Sequence, residues 1–160
     1  MSERPDAGDI MPDNALALPG GGEMTPSALR GKPAVLFFYP KDDTPGCTTE
    51  AKDFSALLPQ FTEAGVAVYG ISKDPPAKHE KFTAKHGLSV PLASDAEENG
   101  LADALGIWVE KNMYGRRYMG MERTTYLLDS EGRIARVWRK VKVKDHAAQV
   151  LEAARELAQK

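Results

Sequence analysis

The chain has a single cysteine, Cys47, and the residues around it suit thiol chemistry. The stretch reads Tyr39-Pro40-Lys41-Asp42-Asp43-Thr44-Pro45-Gly46-Cys47-Thr48-Thr49-Glu50. Thr44 is a good helix N-cap, and Pro45 fits the first helical position, where its missing N–H costs nothing. Cys47 then falls third in the first turn. That turn offers unpaired N–H groups and the positive end of the helix dipole. Both favour the thiolate, which is the nucleophilic form of cysteine. Gly46 lets a reactant come close to the backbone. The Thr44 hydroxyl is donor and acceptor, and it can orient a substrate oxygen if it faces the sulfur. The competing reading is a small buried core cysteine. A Pro-Gly helix start, off the apolar stripe of Phe54 and Leu57, argues against it.

One cysteine excludes an internal disulfide, a Cys-x-x-Cys redox pair and any multi-cysteine zinc or iron–sulfur site. His79, His86 and His146 are scattered, with no pair at the spacing of a metal-binding helix. Metal chemistry is therefore not expected.

The elements that must position Cys47 follow from the patterning. Ala34 to Tyr39 is an apolar run closed by Pro40, which reads as a strand buried on both faces. After the turn Lys41 to Cys47, Ala51, Phe54, Leu57, Leu58 and Phe61 form one helical stripe that ends at Gly65. Val66 to Ile71 reads as a second buried strand. Asp74 is expected to cap a helix with proline at its first position, and Gly87 to close it. Ser89 to Ala93 reads as a short strand. Ser94 and Glu97 have capping-box spacing for a helix to about Leu105. Trp108 to Glu122 reads as a long aromatic and basic loop that lines the site, meets a partner or packs on the core edge. Thr124 to Leu128 and Ile134 to Val141 form a hairpin across Asp129 to Gly132. Asp145 caps a last helix bearing Val150, Leu151, Ala154 and Leu157. Before all of these come a short strand at Ala15 to Leu18, a Pro19-Gly22 turn and one helical turn at Thr25 to Leu29. The alternation predicts an α/β fold with a central mixed sheet flanked by helices.

The chain has 160 residues, 42% of them apolar and 28% charged, with a net charge of -2. That composition fits one globular domain over 1–160, with 1–14 a loose lead-in. A nucleic-acid module would be strongly basic, so none is expected despite the cluster Arg133, Arg136, Arg139, Lys140, Lys142 and Lys144. No apolar run reaches membrane-span length. Met1 to Asp9 has no signal-peptide core, so the expected address is cytoplasmic.

Pro40, Thr44 and Cys47 match the Pro-x-x-x-Thr-x-x-Cys signature of peroxiredoxins. The wider run from Phe38 to Ala51 resembles the bacterioferritin comigratory protein (PrxQ) subfamily. The resemblance continues through Gly70-Ile71-Ser72, Leu92-Ala93-Ser94-Asp95, Tyr114 to Gly120 and Arg123 to Asp129. It implies a thioredoxin-like fold and a thiol peroxidase acting on hydrogen peroxide and alkyl hydroperoxides. It implies no bound cofactor and a monomer or weak homodimer. Carried over, Cys47 is the peroxidatic cysteine, Thr44 binds the peroxide and the sulfur, Pro40 shields the pocket, and Arg123 is the active-site arginine. Glu50 reads as a surface acid or a partner for an arginine.

The sequence departs from the subfamily in having no resolving cysteine. The same-helix position is Lys52, an expected surface lysine, and Lys78 to Lys85 holds none. A Cys47 sulfenic acid must then be reduced from outside, by thioredoxin, glutaredoxin or glutathione, and is open to over-oxidation. Two other functions compete. A redox sensor fits the missing second cysteine, whereas a thioredoxin-like disulfide reductase is opposed by it. Thr44 and Arg123 accompanying the cysteine favour the peroxidase.

Overall fold

The strand Ala34–Phe38 is buried at all five positions. Side chains alternate across a strand, so Val35 and Phe37 enter one core layer, and Ala34, Leu36 and Phe38 the other. Helices or loops must therefore cover both faces of its sheet.

The computed structural model describes residues 4–96 and 100–159. In chain order the elements begin with β1 (Leu16–Ala17), β2 (Glu23–Met24), a 3-10 turn (Pro26–Leu29), β3 (Ala34–Phe38) and α1 (Pro45–Glu63). Next come β4 (Ala67–Ser72), α2 (Pro76–His86), β5 (Leu92–Ser94) and α3 (Leu101–Ala104). The chain ends with β6 (Trp108–Met113), β7 (Arg116–Met121), β8 (Thr124–Leu128), β9 (Ile134–Trp138) and α4 (His146–Ala158). Seven strands form a mixed sheet in the order β2-β1-β5-β4-β3-β8-β9. β3, β4 and β5 are mutually parallel, and β8 runs antiparallel to β3 with Phe38 opposite Thr124. α1, α2 and α4 supply Phe54, Phe61, Phe82 and Val150 to the layer on Val35 and Phe37. Leu101, Ile107, Met121 and Met11 pack on the other face, against Leu36 and Phe38.

The expected α/β architecture is present, with local differences. Trp108 to Glu122 is not a loop. It is the two-stranded hairpin β6–β7, turned at Tyr114 and Gly115, both with positive φ (54° and 78°). Two positive φ values make the tight turn that suits strand twist. The signal was muted because tyrosine takes the place usually held by asparagine. Asp74 does not cap α2. Pro75 holds the cap position, and the Asp74 carboxylate accepts from Asp42 N and Ser72 Oγ instead. Ser94 is the last residue of β5, and its hydroxyl donates to Asp74 O. Its expected capping partner Glu97 lies outside the described residues. Asp95 does the capping, its carboxylate accepting from Leu101 N and Ala102 N. The lead-in is tied down from Gly8, whose N–H reaches Ile134 O, and Met11 is buried.

Candidate active site

β3 ends beside the turn 41–44, and α1 begins immediately after it. Thr44 is the cap residue of α1, Pro45 its first helical residue, and Cys47 sits in its first turn. The Thr44 side chain, however, does not cap the helix. Its hydroxyl donates to Lys41 O at 3.1 Å. The Gly46 and Cys47 N–H groups therefore precede any intrahelical acceptor and receive no side-chain cap. The Thr44 oxygen keeps its lone pairs for an incoming O–H.

The turn is clamped to α2. Asp42 is buried, and its Oδ2 lies 2.6 Å from His79 Nδ1. The second Asp42 oxygen accepts from the Tyr39 hydroxyl. Asp43, with φ 62°, reaches Lys85 and His86 at 2.7 Å each. The exposed Asp43 carboxyl is held below its usual range by His86 first and Lys85 second.

Contrary to the expectation from sequence, Cys47 is not off the apolar stripe: it is 1% exposed and belongs to the same core as Ala51 and Phe54, and Arg123 Nη2 donates to its Sγ at 3.2 Å. Arg123 immediately precedes β8, the neighbour of β3, so sheet order brings it back over the start of α1. Its Nη1 donates to Glu50 Oε1 at 2.6 Å. One planar fork thus spans a sulfur and a carboxylate. Gly46 makes room for it, since a Cβ there would lie 3.2 Å from Arg123 Nη2. The absent side chain serves the guanidinium as well as any approaching reactant.

Of the two readings of Glu50, the structure rejects the surface acid and shows the arginine partner. Glu50 is 1% exposed, and its Oε2 has no hydrogen-bond partner among the described residues. Burial pushes its carboxyl up to about 7, against the pull of Arg123. Burial also disfavours the Arg123 charge, but Glu50 and Cys47 more than offset it and hold the guanidinium above its ordinary range. A signal for Glu50 was present: it lies three residues after Cys47, on the same helix face as Ala51 and Phe54, and all four are buried. Lys111 was missed altogether. Its ammonium donates to Met121 O at 2.6 Å and is within electrostatic reach of Arg123 and Cys47. Pro40 is half-buried at the mouth of the turn, and Lys52 is exposed as expected. Direct bonds join Cys47, Arg123 and Glu50. Thr44 and Pro40 share the turn before the sulfur without a hydrogen bond to it among the described residues.

A thiol held by a guanidinium at a helix start is suited to nucleophilic attack with a charged leaving group. Comparison with known proteins agrees with that chemistry. The AhpC/TSA family matches residues 7–137. The chain belongs to the AhpC/TSA family. It is 50% identical over 141 residues to peroxiredoxin Bcp of Xanthomonas campestris pv. campestris, covering 88% of each chain. It is 44% identical over 155 residues to peroxiredoxin Bcp of Bacillus subtilis, covering 97% of this chain and 98% of the other. The solved peroxiredoxin Q of X. campestris superposes with a TM-score of 0.87 at 47% identity, over 95% of this chain and 98% of that one. A PrxQ variant from Xylella fastidiosa gives a TM-score of 0.89 at 38% identity, over 97% and 98%. The fold is accordingly the thioredoxin-like fold of peroxiredoxins, and this AhpC/TSA member is a thiol-dependent peroxidase of the Bcp/PrxQ branch with one cysteine.

Proposed function

We propose that Cys47 is the peroxidatic nucleophile and that the enzyme turns over by a one-cysteine cycle. The observation that carries this is the Arg123 Nη2 to Cys47 Sγ hydrogen bond at a helix start. The Cys47 thiolate attacks the terminal oxygen of a hydroperoxide. The S–O bond forms, the O–O bond breaks, and the alkoxide or hydroxide leaves with the electron pair and takes a proton from solvent. Cys47 is oxidised to the sulfenic acid and the peroxide is reduced to an alcohol or water. Arg123 stabilises the thiolate and the developing oxyanion. The Thr44 oxygen accepts the peroxide O–H, and Pro40 keeps water from the sulfur.

Hydrogen peroxide and alkyl hydroperoxides are the proposed substrates. Solved trapped-intermediate and ligand complexes of the X. campestris bacterioferritin comigratory protein bear on its alkyl peroxide reduction activity, which supports the second class. The chain has no second cysteine, so an outside thiol must close the cycle. That thiol condenses with the sulfenic acid to a mixed disulfide and releases water, and a second thiol then frees Cys47. Thioredoxin, glutaredoxin and glutathione are the proposed donors. No prosthetic group enters either step. The working form is a single domain acting as a monomer or weak homodimer. A cytoplasmic address is part of the same proposal.

The test is intact mass after one equivalent of hydrogen peroxide, quenched from milliseconds to seconds. Rapid gain of one oxygen at Cys47, trapped by a sulfenic-acid reagent and slowed in Arg123→Ala, is expected. Oxidation as slow as that of a free cysteine sinks the proposal.

A further inference from the structure

A cavity of about 650 Å³ opens beside Arg123, on the side of the β6–β7 hairpin. Arg4, Lys111, Arg123 and Lys140 line it, with Glu110, Glu122 and two valines. Each of the two carboxylates has a cationic partner, although Glu122 Oε1 is buried with no hydrogen-bond partner among the described residues. Glu122 Oε2 accepts from Arg4 Nη1 at 2.9 Å, and Glu110 Oε1 lies 3.5 Å from Arg117 Nε. Arg123 is matched by Glu50 and Cys47. Lys111 is different. Its hydrogen bond goes to a backbone carbonyl, Met121 O, which balances no charge. Nor is it a loose surface side chain. Its stem lies flat across Gly120 of the facing strand, where an added Cβ would meet Lys111 Cδ at 3.0 Å. Burial first and the Arg123 charge second push its ammonium below the usual lysine range, and the nearby Glu122 and Cys47 charges offset this only in part, so an incoming anion relieves the remainder. Lys140 stands exposed just past the end of β9, at φ 50°. The cavity wall carries more positive charge than its own carboxylates neutralise.

We propose that this cavity is an anion site that seats a carboxylate of the co-substrate approaching Cys47, with Lys111 and Lys140 as its cationic contacts. The inference rests on the reading that Cys47 meets a peroxide and then an outside thiol. Two co-substrates share the chemistry. One is a hydroperoxide that bears a carboxylate, such as a fatty-acid hydroperoxide. The other is a reducing thiol that bears carboxylates, of which glutathione is the type. In both, the carboxylate sits against the lysines and the reacting oxygen or sulfur extends past Arg123 to Cys47.

Matched pairs separate the two sources. The oxidation arm compares linoleic acid hydroperoxide with its methyl ester by stopped flow. The reduction arm compares glutathione with its diethyl ester on protein already oxidised to the sulfenic acid. In at least one arm the acid is expected to react about tenfold faster than the ester, the factor that one charge-assisted contact supplies. The acid-to-ester ratio is expected to fall towards one in Lys111→Met or Lys140→Met. Lys140 is exposed, so its variant tests the charge without disturbing the hairpin. A ratio near one in both arms of the unaltered protein overturns the anion site, and so does a ratio that survives in both variants. Hydrogen peroxide, which carries no carboxylate, is the control. Rapid sulfenic acid formation with it leaves the Cys47 reading intact when the anion site fails, and slow formation sinks that reading itself.

Discussion

His79 Nδ1 lies 2.6 Å from Asp42 Oδ2, and both side chains are sealed from solvent. His79 Nε2 faces Ala93 O at 3.0 Å, and a carbonyl can only accept, so Nε2 carries a proton. The remaining proton lies between Nδ1 and Asp42. The pair ties α2 and the end of β5 to the turn that leads into Cys47. Replacing His79 by Phe leaves a carboxylate buried with the Tyr39 hydroxyl as its remaining side-chain partner. A loss of about 3–5 kcal/mol is expected on removing one member of such a pair. Urea unfolding measures it, and a loss under about 1 kcal/mol, the range of an exposed pair, shows that the clamp is unimportant.

Arg123 uses two nitrogens for two partners, Glu50 and Cys47. Arg123→Ala is expected to slow oxidation of Cys47 by about 10²- to 10³-fold, the usual effect of removing one donor to a developing oxyanion. Arg123→Lys keeps the charge but cannot span both partners, so it should recover little of the rate. Stopped-flow oxidation with hydrogen peroxide decides this. A lysine variant as fast as the parent refutes the fork argument.

Gly46→Ala separates activity from stability. Alanine is better than glycine within a helix by up to about 1 kcal/mol, so unfolding is expected to shift little or towards higher stability. The new methyl would sit 3.2 Å from Arg123 Nη2, the atom that holds the sulfur. Displacing it should slow peroxide reduction about tenfold, well short of the loss from removing the donor. An unchanged rate means that the guanidinium yields without leaving the thiolate.

Glu50 and His146 give opposite pH dependences. Burial raises the Glu50 carboxyl from 4.5 to about 7 in the folded protein, although Arg123 opposes it. The folded state therefore holds that proton more tightly than the unfolded chain. The resulting stability is complete below about pH 4.5 and is lost as pH rises through about 7. The ionised carboxylate is also the better anchor for Arg123, so the oxidation rate should rise through the same window. Glu50→Gln should flatten both profiles around pH 7, and a Gln variant that keeps the parent's profile refutes the assignment.

His146 is packed edge-on to Phe54 and Trp138, with Nε2 2.8 Å from Thr125 Oγ1. Burial first, and the Arg123 charge second, push it from 6.5 down to about 4. The unfolded chain binds this proton first as pH falls, so stability is complete above pH 6.5 and is lost towards pH 4. The loss is on the order of 3 kcal/mol. Urea midpoints at pH 5 and pH 8 should converge in His146→Gln, and an unchanged gap places the acid sensitivity elsewhere.

The sequence by itself determined the order of most elements, the doubly buried strand β3, and Cys47 in the first turn of α1. Each rests on local information: an apolar run, a stripe of 3.6-residue period, a proline at the first helical position. It also carried the family, because the motif from Phe38 to Ala51 is long. The hairpin β6–β7 escaped because its turn begins with Tyr114. Tertiary structure alone decided the electrostatics. Arg123 meets Cys47 across 76 positions, Arg123 meets Glu50 across 73, and His79 meets Asp42 across 37. No local period encodes such contacts, which arise from placing β8 beside β3 and α2 beside the turn. Burial is likewise set by what packs on top. That is why Glu50, which by sequence reads equally as a surface acid or as an arginine's partner, ends as the covered carboxylate that anchors Arg123.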